Sequence, residues 1–122
     1  MSSKDPIGAA NALPAGAVFH RCALQVNPHH YGASFRGGVI ASDALAHAKA
    51  IVDKAAEIGV SVLAITDHND VSSVPGFRDT AAPHGIQVFP GFELSSSDGV
   101  HVLCIYPQDA DNARLERYLG EF

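Results

Sequence analysis

The chain has 122 residues, enough for one domain, and its composition of 47% hydrophobic and 17% charged residues is typical of a folded protein. The formal net charge is −5, with 8 basic against 13 acidic side chains, so non-specific binding to nucleic acid is not expected. No apolar stretch approaches the roughly 18 residues that a membrane span needs, so a membrane protein is not expected either.

The N-terminal part of the chain is predicted to be irregular up to the first strand. Residues 1–16 are rich in Ala, Gly, Pro and Ser and are expected to form a flexible lead-in. The folded part is then residues 17–122, which we expect to be a partial domain. A strand is predicted over residues 17–26, and a loop containing Pro28 and three glycines follows it.

The most regular pattern predicts a helix over residues 43–58. Ser42 is expected to cap its first turn, and Asp43 lies at the positive end of the helix dipole. Gly59 suits the left-handed residue that ends many helices. Apolar residues at helical spacing predict the buried face: Leu45, Ala48, Val52 and Ala55.

The second half of the chain alternates strands with short helical segments. Strands are predicted over 60–66, 86–94 (interrupted at Pro90-Gly91) and 100–106, and helical segments within 71–84 and from 111 onwards. The first of these strands is almost wholly apolar, as in a parallel strand covered on both faces. Only five residues separate the last two strands, too few for a parallel crossover, so they are expected to form a hairpin. The pattern as a whole predicts an α/β fold with mostly parallel strands and one hairpin.

Three residues that can ligate a metal lie at the ends of predicted strands. His68 follows the strand over 60–66, Glu93 ends the next strand, and His101 begins the last one. A five-residue hairpin loop would place Glu93 directly opposite His101. Because ligands of α/β folds bind at the carboxyl ends of strands, we predict that His68, Glu93 and His101 hold Zn, Mn or Fe. Glu93 could bridge two such ions.

Each of these residues also has a simpler interpretation when it is taken alone. Asp67 and His68 could cap the loop after their strand, and Glu93 could be an exposed charge at a strand end. His101 could be a half-buried strand histidine with a backbone partner. If the metal site forms, Asp67 is the candidate catalytic residue, which would orient the water, take its proton or ligate the metal.

The stretch from Gly59 to Leu103 resembles the PHP superfamily, named for polymerase and histidinol phosphatase. The segments that carry the resemblance are LAITDH, the run Gly-Ile-x-Val-x-Pro-Gly-x-Glu, and a later His-Val-Leu. The resemblance implies a distorted β/α barrel, of which this chain would be a truncated N-terminal portion. It implies one to three divalent metal ions, with His68, Glu93 and His101 at ligand positions.

The chain departs from the family in its first motif, Asp-Leu-His-x-His-Thr. The best match is residues 23–28, in which Gln25 and Asn27 stand where the family has ligand histidines. Amide oxygens are weaker ligands for zinc than imidazole nitrogens, so this half of the site is expected to be altered. Three neighbouring histidines are either substitute ligands or surface residues: His20, His29 and His30.

The function implied by the resemblance is metal-dependent hydrolysis of a phosphate ester, with a phosphorylated small molecule or nucleotide as substrate. Arg36 is either a phosphate contact or a solvated loop residue. The alternative function is a catalytically impaired structural or regulatory module of a larger ATPase or nucleic-acid-processing protein. The segment around Gln25 also resembles PHP domains fused to AAA- or SMC-type ATPases, which suggests an ATPase partner. Cys22 and Cys104 lie in apolar stretches, and two buried thiols would suit the cytoplasm.

Overall fold

A computed structural model of the protein describes residues 19–29 and 43–121. Several predictions from the sequence fall outside these residues and are not tested by it: the lead-in over 1–16, and the positions of His30 and Arg36.

The described residues form four strands and three helices in the predicted order. Their bounds are β1 (Arg21–Val26), α1 (Ala44–Ile58), β2 (Val60–His68), α2 (Val74–Ala81), β3 (Gln87–Ser95), β4 (His101–Ile105) and α3 (Asn112–Leu119), with a 3-10 turn at Ala82–His84 after α2. The predicted interruption of β3 at Pro90-Gly91 was wrong, because the strand pairs with β2 continuously through both residues.

The strands form one sheet in the order β1-β2-β3-β4. The first three strands are parallel, and β4 runs antiparallel to β3. This arrangement confirms the predicted α/β fold with mostly parallel strands and one hairpin. The sheet is curled into half of a barrel, as expected for a partial, distorted β/α barrel.

The register of the β3–β4 hairpin differs from the predicted one. Glu93 pairs with Leu103, and His101 pairs with Ser95, so Glu93 is not directly opposite His101. The loop comprises residues 96–100, one residue later than predicted at both of its ends. The loop therefore keeps its predicted length of five residues but starts and ends one residue later. For this reason Glu93 and His101 still lie on the same face of the hairpin, as diagonal neighbours.

Helix α1 begins and ends as its capping residues dictate. Asp43 is the N-cap, since its Oδ1 accepts a hydrogen bond from the backbone N–H of Ala46 at 2.8 Å. The capping role predicted for Ser42 is therefore taken by Asp43, and the helix begins one residue later than predicted. Asp43 lies at the positive end of the helix dipole, as predicted. Gly59 has φ +76° and ends the helix in the left-handed conformation, as predicted.

The core lies between the sheet and helices α1 and α2, with Leu115 of α3 at its margin. Three of the four predicted core residues of α1 are buried, but Leu45 is 69% exposed and the prediction for it was wrong. His47 is buried instead, because its Nε2 lies 3.1 Å from the carbonyl oxygen of Asn27 at the end of β1.

Two expectations from composition can be compared with the described residues. Both cysteines are free, but Cys22 is exposed rather than buried, because β1 is an edge strand of the described sheet. Among the described helices, none has the length and apolar character needed to cross a bilayer.

Candidate metal centre

Each strand of the sheet contributes one polar side chain to a cluster at the carboxyl end of β2 and β3. These residues are Gln25 of β1, His68 of β2, Glu93 of β3 and His101 of β4. Because β4 is antiparallel to β3, its first residue lies at the same edge as the last residues of β2 and β3. The topology therefore brings together residues that are up to 76 positions apart in the chain, from Gln25 to His101.

Glu93 is the centre of this cluster, and its side chain is only 5% exposed. Its Oε1 lies 2.8 Å from Nδ1 of His101, and its Oε2 lies 3.4 Å from Nε2 of His68. His68 and Glu93 are direct neighbours in the parallel β2–β3 pairing, which places their side chains on the same face. Each carboxylate oxygen thus faces a different histidine.

The backbone at the end of β2 is held so that His68 projects towards Glu93. The N–H of Asn69 donates a hydrogen bond to the carbonyl oxygen of Glu93 at 3.1 Å. Asn69 has φ +51°, a left-handed conformation that asparagine tolerates better than most residues. The chain consequently turns away from the sheet directly after His68.

His101 forms the open side of the cluster. Its side chain is 56% exposed, compared with 25% for His68. Its Nδ1 also lies 3.1 Å from Oγ of Ser95, the residue that it faces across the hairpin. The two imidazole rings are 6.2 Å apart between centroids and meet edge to face. A solvent-borne ligand would therefore reach the cluster from the His101 side.

The structure brings His68, Glu93 and His101 together as predicted, and it does not bring Asp67 into the same set. Within the described ranges, one ligand atom from each of those three residues lies within 4.8 Å of the other two. Asp67 pairs with the core residue Phe92 rather than with Glu93 and is 1% exposed. Its Oδ1 accepts a hydrogen bond from the backbone N–H of His68 at 2.7 Å.

The chemistry of the three residues suits a divalent transition metal. Zinc takes imidazole nitrogen and carboxylate oxygen at about 2.0–2.2 Å, so ligand atoms of a tetrahedral site lie about 3.3–3.6 Å apart. The His68–Glu93 distance of 3.4 Å matches that spacing, whereas the His101–Glu93 distance of 2.8 Å is that of a direct hydrogen bond, and the two atoms would have to separate slightly to share an ion. Two nitrogens and one carboxylate would leave at least one coordination position for water. The donor set therefore fits a metal of catalytic type.

Of the two amide residues in the altered first motif, Gln25 contacts the cluster and Asn27 contacts α1 instead. Gln25 reaches the cluster, with Nε2 3.2 Å from Oε2 of Glu93. Asn27 contacts α1 through its carbonyl oxygen, and its buried Oδ1 has no hydrogen-bond partner in the described part of the chain. His20 lies 3.2 Å from Oγ of Ser61 instead.

His29 also lies elsewhere, with its ring 5.7 Å from that of His47. Neither His20 nor His29 belongs to the metal-ligating group identified among residues 19–29 and 43–121.

Gly91 allows β3 to approach its neighbours closely below the cluster. A Cβ at this position would lie 2.4 Å from the carbonyl oxygen of Cys104 and 3.2 Å from Cγ2 of Thr66. Only glycine fits between these strands without displacement of a backbone. The family-like Pro-Gly-x-Glu run therefore has a physical reason here, because Gly91 sets the position of Glu93 two residues later.

Sequence reasoning missed the contacts of Gln25 and Ser95 with the cluster. The motif comparison predicts that Gln25 is a weakened ligand, whereas its amide faces a carboxylate as a donor. The predicted strand bounds place Ser95 in the hairpin loop, whereas it is the last residue of β3 and faces His101. The position of Ser95 follows from the hairpin register, which the loop length alone did not determine.

Comparison with known proteins decides the family. The family model for the PHP domain matches residues 39–116, more than half of the chain. The chain belongs to the PHP family. The matched part of this PHP domain contains His68, Glu93 and His101 but begins after the altered first motif.

The curated relatives of this PHP domain include bacterial DNA polymerases. It is 32% identical to error-prone DNA polymerase 1 of Agrobacterium fabrum over 98 residues, and this matched stretch covers 80% of the chain and 8% of the polymerase. It is 35% identical over 69 residues to an error-prone DNA polymerase of Symbiobacterium thermophilum, covering 57% of the chain and 6% of that protein. A PolC-type DNA polymerase III of Staphylococcus epidermidis matches at 38% over 61 residues, 49% of the chain and 4% of the polymerase.

The chain therefore spans less than a tenth of the length of these relatives. No solved structure gives a significant match to it.

Proposed function

We propose that this PHP domain is a metal-dependent phosphoesterase whose ion is held by His68, Glu93 and His101. The observation that carries the proposal is the convergence of two imidazoles and one buried carboxylate, from three strands, within 4.8 Å. Carboxylates are seldom buried unless they are paired or bound to a metal, and the two oxygens of the buried Glu93 each face an imidazole nitrogen that could ligate a cation. Zn, Mn and Fe all accept this donor set.

A divalent ion at the cluster would lower the pKa of a coordinated water towards neutrality and polarise a phosphoryl oxygen. Glu93 supplies the negative charge that retains a cation, and His68 and His101 supply neutral donors. The exposure of His101 leaves room for a phosphorylated small molecule or a nucleotide on that side.

The prediction that Asp67 takes part in catalysis stays a prediction. Its hydrogen bond to the backbone of His68 favours a positioning role, because it holds the peptide from which that ligand projects. The carboxylate is buried, which separates it from bulk solvent. An Asp67→Asn variant would distinguish the two roles, since the amide retains an oxygen acceptor for that bond but cannot act as a base.

The experiment that tests the proposal measures hydrolysis of p-nitrophenyl phosphate and bis(p-nitrophenyl) phosphate with added Zn, Mn or Fe. We expect turnover by the unaltered chain and its loss in His68→Ala and Glu93→Ala. His84→Ala is the matched control, because His84 is an exposed histidine whose nearest acidic partner is Asp53, at 3.5 Å. Unchanged turnover in both ligand variants would reject the proposal.

A second candidate is a PHP module that has lost hydrolytic activity. Gln25 and Asn27 favour it, because β1 offers amides where the family has ligand histidines, and one of these amide oxygens is buried without a partner among the described residues. Such a module could serve a larger ATPase or a nucleic-acid-processing protein in the cytoplasm. Tight metal binding without turnover of either phosphate ester would favour this candidate over the phosphoesterase.

A further inference from the structure

We infer that Gln25 is a positioning residue for Glu93 and that it restricts the cluster to a single metal ion. The inference rests on the proposed metal site, since it concerns how that site is organised. Gln25 comes from β1 and crosses β2 to reach the carboxylate on β3, with Nε2 3.2 Å from Oε2 of Glu93. An ionised carboxylate only accepts hydrogen bonds, so the amide must donate to it.

An irregularity in β1 turns Gln25 towards the cluster. Between Ala23 and Val26, β1 advances three residues while its partner β2 advances two, from Leu63 to Ile65. This extra residue makes the pairing irregular in the manner of a β-bulge, a feature that changes the direction of the side chains beside it, and we call it the bulge. In a regular strand Gln25 would share a face with Ala23, two residues earlier.

The packing of β1 shows that the bulge changes this alternation. Ala23 and Val26 line the same apolar groove beside α1, although residues three apart point to opposite faces of a regular strand. The alternation of side chains between the two faces of β1 therefore shifts by one residue between Ala23 and Val26. Gln25 consequently lies on the face of β1 opposite to the helix-covered face of Ala23. On that face its amide contacts the Glu93 carboxylate.

The hydroxyl group of Thr66 contacts this bulge. Oγ1 of Thr66 donates to the carbonyl oxygen of Leu24 at 3.2 Å, within the irregular part of β1. Thr66 is completely buried and lies on β2 two residues before His68. The hydroxyl thereby satisfies a carbonyl group in the stretch where the β1–β2 pairing is irregular, and it links the bulge to the strand that carries a metal ligand.

The position of Gln25 has a consequence for the number of ions. Oε1 of Glu93 faces His101, whereas Oε2 faces both His68 and the Gln25 amide. A second ion beside Oε2 would need further ligands from β1, and the side chain that β1 supplies there directs its amide N–H at Oε2, whereas its amide oxygen is a weak metal ligand. Glu93 therefore serves one ion together with both histidines rather than bridging two.

The test is calorimetric titration of the metal-free chain with Zn²⁺, which gives the affinity and the number of ions. We expect one ion per chain, and an affinity about 10–100-fold lower in Gln25→Met, the loss typical of an outer-shell partner. Gln25→Met keeps the length of the side chain and removes its donors. Gln87→Met is the matched control, because Gln87 is an exposed glutamine at the opposite end of β3, and its affinity should not change.

Thr66→Val tests the role of the bulge, and Thr66→Ser retains the hydroxyl. We expect Thr66→Val to weaken Zn²⁺ binding in the unaltered chain but to have little further effect in a Gln25→Met background. Both changes should act by weakening or removing the hydrogen bond from Gln25 to Glu93. Thr66→Ser should restore most of the affinity. Additive losses would mean that Thr66 supports the site independently of Gln25, and they would contradict the inference.

The remaining outcomes separate this inference from the proposed function. Equal affinities of the unaltered chain and Gln25→Met, or binding of two ions, would overturn the inference and leave the metal-dependent phosphoesterase standing. A chain that binds one ion in the expected way but hydrolyses neither phosphate ester would contradict the phosphoesterase alone. Absence of Zn²⁺ binding by the unaltered chain would overturn both.

Discussion

Glu93 and His101 are in contact across the hairpin although they are not paired residues. Nδ1 of His101 lies 2.8 Å from Oε1 of Glu93, while the residue directly opposite Glu93 is Leu103. Diagonal neighbours on one face of a hairpin lie near enough for long side chains to meet. The contact therefore requires His101 to lie on the same face of the hairpin as Glu93. It does not require His101 to be the residue directly opposite Glu93 on β4.

Replacement of Glu93 by glutamine should abolish most of the metal affinity. The amide has nearly the same shape, but it lacks the negative charge and is a weaker ligand. We expect a loss of more than about 100-fold, beyond what removal of an outer-shell partner costs. Competition with a chromophoric zinc chelator measures this loss. Glu57→Gln is the control, because Glu57 is exposed and forms an ion pair with Lys54 on α1, away from the cluster; a similar loss there would contradict the prediction.

Gly91→Ala should destabilise the fold because the added methyl group has no space. It would meet the carbonyl oxygen of Cys104 at 2.4 Å, and this backbone must move to admit it. We expect the free energy of unfolding to fall by about 1–3 kcal/mol, the usual cost of overpacking, in urea denaturation. Gly76→Ala is the contrasting variant, since Gly76 lies in α2 with no atom within 4 Å of its Cβ position. It should be stabilising by about 0.4–1 kcal/mol, and equal effects of the two variants would contradict this account.

Asp43→Ala should weaken α1 through the loss of its N-terminal cap. The Asp43 carboxylate accepts from the N–H of Ala46, and removal of such a cap costs about 0.5–2 kcal/mol. Thermal unfolding followed by circular dichroism measures the change. Glu57→Ala, which removes an exposed ion pair on the same helix, should cost less than about 0.5 kcal/mol. If Asp43→Ala were as mild as Glu57→Ala, the cap would not be the residue that starts this helix.

Alkaline conditions should destabilise the protein through Tyr106. Burial raises the pKa of Tyr106, and the neighbouring Cys104 and Tyr118 act in the same direction. A raised pKa means that the folded state favours the neutral phenol. The stabilising contribution is therefore complete below the unfolded pKa of about 10 and is lost as the pH rises through the folded value. We expect Tyr106→Phe to lose less unfolding free energy than the unaltered chain between about pH 9 and about pH 11. An identical pH dependence in both proteins would contradict this assignment.

Features set by short-range pattern were predictable from the sequence. The continuous apolar run of β2 predicts a strand that is buried on both faces, and the helical spacing of apolar residues before Gly59 predicts a helix that is buried on one face. Both elements are present in the structure. The placement of His68, Glu93 and His101 followed from these elements, since strand ends in such a sheet meet at one edge.

Features that depend on distant contacts were not predictable in the same way. The bulge that turns Gln25 towards Glu93 is contacted by the hydroxyl of Thr66, 42 residues from Leu24, and no local pattern in β1 indicates it. Leu45 matches the helical spacing of the core but is exposed, while His47 is buried through its bond to the Asn27 carbonyl oxygen. Both the bulge and the buried His47 involve hydrogen bonds between residues far apart in the chain, and periodicity does not encode such contacts.

The most direct test of the metal centre is anomalous diffraction at the zinc edge from crystals of the unaltered chain grown with zinc. The account predicts one strong peak at about 2.0–2.2 Å from Nε2 of His68, Nδ1 of His101 and a carboxylate oxygen of Glu93. A peak bound by other residues, or no peak at these three side chains at full zinc loading, would contradict it.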